Sequence, residues 1–157
     1  MSAILDFYTG KGTDDRGRSL AEILAWDDVW LEAVHDYIQW LFPLPEASAY
    51  NPNAPLLTDD DIAVFHDDHD LHMALLSSLA RMRAFYGLPT GKARQAQWVT
   101  PGNHNMQRLS RILRSLHLLG LENESQALLR DLEALYKAGA GAVIGPVTLG
   151  YWRRAAS

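Results

Sequence analysis

The 157-residue sequence contains no cysteine. That absence removes disulfides, thiolate metal sites and cysteine nucleophiles from consideration, and it fits a reducing compartment, the cytoplasm by default. Long apolar runs are missing as well. The longest uncharged tract, Ala138 to Trp152, is interrupted by Gly139, Gly141, Gly145, Pro146 and Gly150. No segment approaches the roughly 20 apolar residues that a spanning helix requires, so no membrane insertion is expected. No basic stretch followed by an apolar one opens the chain, which predicts no secretory leader. The sequence has no Walker loop, no G-x-G-x-x-G and no G-x-S-x-G. Its glycines between Ala138 and Gly145 follow a helical pattern and not a strand, which argues against a phosphate cradle.

Basic residues are scarce in one half. Residues 1–70 hold fifteen carboxylates against three Lys or Arg, a net charge of −12, whereas residues 71–157 hold four against eleven, a net +7. Asymmetry of this kind can mark a nucleic-acid-facing half. Here Arg108, Arg111 and Arg114 spread over their helix and the acidic half would repel a phosphate backbone, so no nucleic-acid partner is expected. Two complementary halves of one domain, 1–157, is the simpler reading.

What remains is helical. Period-two alternation is nearly absent, and apolar residues recur at steps of three and four. Ser19 and Glu22 have capping-box spacing and open a short helix ending near Trp26. A helix over 27–42 follows, with Trp30, Leu31, Val34, Tyr37, Ile38 and Leu41 on its apolar side and Glu32, His35 and Gln39 as an opposite ridge. Pro43 stops it. A long loop to Leu57 contains enough aromatic and polar groups to be ordered. Thr58 and three aspartates start the next helix. Leu71, Leu75, Leu79, Met82 and Tyr86 define a longer one, followed by a connector over 90–101. Asn103 caps a helix whose core face is Leu109, Ile112, Leu113 and Leu116, and Gly120 fits its left-handed end. A helix over 122–137, a glycine-rich turn and a short helix from Pro146 complete an all-α bundle of six to seven helices. Met73, Met82 and Met106 read as core filler.

Two stretches place polar side chains among aromatics more densely than a core requires. WLEAVHDYIQWLFPLPEASAYNPNAPLLT, beginning at Trp30, resembles the signature of the opioid growth factor receptor conserved region. GNHNMQRLSRILRSLHLLGLE, from Gly102 to Glu122, resembles that family's second hallmark, HN-x-x-R-x-x-R-I-L-x-S-L-x-x-L-G. The resemblance runs from about Phe7 to Tyr151 and Trp152 and implies one helical domain. Peptide-hormone reception is attributed to animal members carrying long C-terminal extensions with repeats and nuclear-targeting signals. Neither occurs in these residues, so the resemblance does not extend to opioid-peptide binding.

Three constellations carry candidate chemistry. His35 beside Glu32 could serve as a general base with Gln39 orienting a bound group, or it could be a histidine bordering a core edge. His104, Asn105, Arg108 and Arg111 at a helix start offer donors for a carboxylate or phosphate, or a cap whose arginines pair with the acidic half. His66, His69 and His72, interleaved with aspartates, are weak metal candidates that lack the H-E-x-x-H spacing. A solvated helix start describes them better, and no metal site is assigned. The functional reading is a binding module for a small-molecule or peptide ligand. Its candidate ligand-binding residues are His35, Gln39, Trp40, Glu46, Asn51, His104, Asn105, Arg108 and Arg111, expected to line one pocket. The alternative is a metal- or haem-dependent cofactor protein or enzyme using His35 or His104.

Overall fold

Helices begin where a side-chain oxygen can take up a free backbone N–H. The structure, a computed structural model, describes residues 2–157 and contains helices and loops with no β-strand among them. Ser2 caps α1 (Ala3–Tyr8), Ser19 caps α2 (Leu20–Leu24) and Asp27 caps α3 (Asp28–Ala33). A fourth short helix, α4, spans Ile38–Leu41. Thr58 and Asp61 form a reciprocal capping box at α5 (Asp59–Asp67). The longest helix, α6, covers His69–Tyr86. Next come α7 (Lys92–Trp98), α8 (Asn105–Leu118) and α9 (Glu122–Leu135). A π turn at Tyr136–Ala140 leads into α10 (Gly141–Ala155). Gly145, at φ 83°, interrupts α10 immediately before Pro146, where a left-handed residue and a missing N–H both favour a new helical start.

The all-α expectation holds, and the helices are shorter and more numerous than periodicity suggests. The lead and the 90–101 connector contribute α1 and α7. The predicted 27–42 helix is two, α3 and α4, separated by non-helical residues. Two compact units result, one comprising residues up to Arg81 and the other Met82–Ser157. Their formal charges are −11, from fifteen carboxylates and four Lys or Arg, and +6, from four and ten. The charge asymmetry of the sequence therefore coincides with the division into units.

In the first unit Phe7 meets Trp40 with ring centroids 5.4 Å apart, and Tyr8 meets Phe65 edge-on at 5.4 Å. The buried Tyr8 hydroxyl donates to the Leu41 carbonyl and shares a 3.0 Å hydrogen bond with Ser78 Oγ. Burial pushes the Tyr8 phenol far above its ordinary value, against a smaller lowering by Ser78. Because the folded state holds this proton more tightly, the stabilisation is complete below the ordinary phenol value of about 10 and is lost as pH rises above it. Tyr8→Phe should flatten the alkaline limb of a stability-versus-pH curve. An unchanged slope above about pH 10 would contradict this.

In the second unit Leu109, Ile112, Leu113 and Leu116 form the buried face of α8, as their spacing requires. Ser125 of α9 donates to the Leu113 carbonyl at 2.8 Å, and the Trp152 indole N–H of α10 donates to the Met106 carbonyl at 2.9 Å. Gly87 has φ 68°, and a Cβ there would overlap the Gly91 carbonyl, so only glycine lets the α6–α7 turn close. Met82 and Met106 are buried as expected, whereas Met73 is half exposed, because its position on α6 falls outside the Leu71–Leu75–Leu79 face.

Candidate functional site

The first signature block is not one amphipathic helix. Val34 adopts φ −93° and ψ 130°, and the Tyr37 hydroxyl donates to the Leu31 carbonyl at 2.7 Å. Tyr37 is fully buried, edge-on to Trp26 at 5.6 Å. Seating that ring interrupts the helix, and β-branched Val34 readily accepts the extended conformation. The ridge predicted from Glu32, His35 and Gln39 therefore does not form. Glu32 belongs to α3, His35 to the break and Gln39 to α4. Trp30, placed on the apolar side by periodicity, is instead 57% exposed.

Gln39 is 3% exposed and does not project into solvent. Its amide donates to the His35 carbonyl at 3.3 Å, so the backbone of His35 meets Gln39 while the His35 residue lies exposed. The Gln39 Oε1 acceptor and the Trp40 Nε1–H donor are both buried without a protein hydrogen-bond partner. Trp40 is 4% exposed and stands against Phe7.

The loop after α4 is ordered by its own bonds. Leu57 N–H donates to the Leu44 carbonyl at 3.0 Å, and Ser48 Oγ accepts from the N–H groups of Tyr50 and Asn51. Asn51 is buried and its amide donates to the Asp36 carbonyl at 3.4 Å. Glu46 is exposed at the loop's rim.

A polar network that sequence reading missed holds this region. Asp14, 4% exposed, accepts from the backbone N–H groups of Arg16 and Arg18 and from Arg18 Nε at 2.7 Å. Arg18 also reaches Asp36 at 2.8 Å and lies 5.1 Å over the Trp26 ring. Burial opposes the Arg18 charge, but the hydrogen bonds and charges of Asp14 and Asp36 outweigh it and raise its pKa. The network ties the N-terminal lead to the break before α4. Its signal in the sequence was D-D-R-G-R, an Asp followed by a glycine turn and an Arg four residues on, which is the pattern of a side-chain-closed turn.

The second block opens α8. The residue at the cap position of α8 is His104, one beyond the predicted Asn103, and the Asn103 side chain accepts the Asn105 N–H at 2.9 Å from just outside the helix. Asn105 is 1% exposed and its Oδ1 accepts from the Tyr86 hydroxyl at 3.2 Å, while Tyr86 stands edge-on to Trp98 at 5.5 Å. Arg108 is buried, not on a polar face as its helix position suggests, and Arg111 and Arg114 are half-buried. His104 is half-buried at the helix start. The first block lies in the first unit and the second block in the second unit.

His66, His69 and His72 do not share one helix. Asp68 has φ −106° and ψ 113°, ends α5, and its carboxylate caps α6 by accepting the Leu71 N–H at 3.0 Å. His66 and His69 are exposed and His72 is half-buried. Among the described residues no three His, Cys, Asp or Glu side chains are grouped to hold a metal ion. No helix among them is long and apolar enough to cross a membrane.

An all-helical scaffold with two polar–aromatic blocks, each burying part of its polar side chains, defines a class, and sequence comparison assigns it. Residues 3–138 match the model of the opioid growth factor receptor (OGFr) conserved region, and the chain belongs to that family. The mouse opioid growth factor receptor is 36% identical over 119 residues, 67% of this chain and 19% of the mouse protein. The human opioid growth factor receptor is 36% identical over 122 residues, covering 67% and 17%. The mouse opioid growth factor receptor-like protein 1 is 35% identical over 111 residues, covering 64% and 24%. The chain thus spans about a fifth of the length of these relatives. No solved structure matches.

Proposed function

We propose that this chain is a ligand-binding module, not an enzyme, and that its ligand carries a peptide-like amide group recognised by Gln39 and Trp40. One observation carries the reading: adjacent residues of the signature block present a buried acceptor, Gln39 Oε1, and a buried donor, Trp40 Nε1–H, with no protein partner. Buried polar groups are nearly always satisfied, and a bound group or an ordered water is what meets such an exception; an adjacent acceptor and donor in the signature block favour a bound group. An amide N–H and C=O match this pair in sign and number. The relatives are named as receptors of a growth factor, which supports a binding role and a peptide as the first ligand to test. The lack of cysteine supports a cytoplasmic setting.

The test is a titration of ¹⁵N-labelled protein with opioid growth factor peptide and, separately, with a set of N-acetylated amino-acid amides, following the Trp40 indole resonance. A saturable shift of that resonance is expected. Gln39→Ala should weaken binding about tenfold while removing about 1 kcal/mol of stability, the worth of its one bond to the His35 carbonyl. If no probe moves the Trp40 indole and Gln39→Leu stabilises the fold, the buried pair is a structural defect and the binding reading fails.

A further inference from the structure

Each unit exposes several large apolar side chains, and on each unit one pair of them stands beside charged groups. On the first unit Val29 is 75% exposed and Trp30 57%, with the Trp30 ring 6.0 Å from that of Trp26. Exposed Asp27 precedes this patch and exposed Glu22 lies one turn before Trp26, in a unit of net charge −11. On the second unit Val147 is 68% exposed and Tyr151 55%. They stand four residues apart on the uninterrupted part of α10, so they share a face. The Arg154 guanidinium lies 4.9 Å over the Tyr151 ring, continuing that face with a cation. Exposed Arg153 follows Trp152 and pairs with Glu133 at 2.9 Å, which leaves Arg154 as the cation of this face in a unit of net charge +6. Scattered single apolar residues on a surface require no explanation, whereas contiguous apolar patches rimmed by polar groups are where partners dock.

We propose that copies of this chain associate head to tail, the Val29–Trp30 patch of one copy seating on the Val147–Tyr151–Arg154 face of the next. A second copy is the occupant chosen because each surface supplies what the other lacks. Trp30 is a large flat ring beside Asp27, whose carboxylate accepts the Trp30 backbone N–H at 2.9 Å, while Arg81 pairs with the neighbouring Asp28 at 2.8 Å. The α10 face is an apolar strip ending in a guanidinium, which favours both an aromatic face and a carboxylate. The surfaces differ, so the contact is heterologous and propagates from copy to copy unless the rotation closes a ring. Both patches are small, which places the association among weak, reversible contacts.

Sedimentation velocity from about 10 µM to 1 mM, the range in which weak contacts populate, reads the outcome. The wild-type sedimentation coefficient should rise with concentration. Trp30→Ala and Val147→Asp should each remain monomeric, with unchanged circular dichroism because both side chains are exposed. An equimolar mixture of the two variants supplies the decisive result. Each retains the surface that the other has lost, so the mixture should form a heterodimer and nothing larger. Raising salt from about 0.05 M to 0.5 M should weaken the association, since the charge component is screened. A wild-type protein that stays monomeric to 1 mM overturns the proposal. So does a Val147→Asp variant that associates like wild type, which would indicate pairing of the Trp30 patch with itself, and so does a mixture that remains monomeric.

Discussion

Trp152→Ala should destabilise the protein by about 3–5 kcal/mol, the range for removing a large buried aromatic. Trp152 is fully buried, and its indole N–H donates to the Met106 carbonyl in the first turn of α8. The substitution removes the ring that joins α10 to α8, leaves a cavity in the second unit and takes a donor from a buried carbonyl. For a chain of this length the melting temperature should fall by about 6–20 °C. Trp152→Phe, which fills most of the volume without restoring the donor, should recover the larger part. A Phe variant as unstable as the Ala variant would show that the hydrogen bond, and not packing, holds α10. A loss below about 1 kcal/mol for Ala, the scale of an ordinary surface change, would contradict the burial of this ring.

Asp14→Ala should cost about 3 kcal/mol, the low end of the range for removing one partner of a buried ion pair. Asp14 receives two backbone N–H groups and the Arg18 guanidinium, with its side chain wholly buried and that of Arg18 17% exposed. Arg18 keeps Asp36 when Asp14 is lost, which is why the low end applies. Asp14→Asn keeps an acceptor for the two backbone groups and should lose less than Asp14→Ala, measured by urea unfolding. Equal losses would mean that the charge carries the whole effect. Because Arg18 and Asn51 both meet Asp36, hydrogen exchange in the loop after α4 should also quicken in Asp14→Ala. That change would show the network positions the candidate site as well as stabilising the lead.

Capping and periodicity were legible because they are local. Ser19, Thr58 and Asn103 each bond to an N–H within three residues. The faces of α6 and α8 follow from the 3.6-residue turn alone, and their leucines are buried as read. Family membership was legible too, because the two signature blocks are continuous in sequence and in the predicted order. The same local geometry failed over 27–42. Its periodicity was good enough for one helix, yet the break at Val34 is produced by a ring and a carboxylate whose partners lie far away in the chain: Tyr37 against Trp26, and Asp36 against Arg18. Helical periodicity carries no term for such contacts, so Gln39 and Arg108 read as surface groups although both are buried.

The sequence by itself determined the helical class, the principal helix starts, the apolar faces of α6 and α8 and the division of charge between the two ends of the chain, since each depends on residues within a few positions of one another. Tertiary structure alone decided where the signature helix breaks, that Gln39 and Trp40 are buried with an acceptor and a donor that no protein group meets, and that Trp30, Val147 and Tyr151 stay uncovered. Burial is a property of what approaches from elsewhere in the chain, and no spacing rule within one helix can supply it.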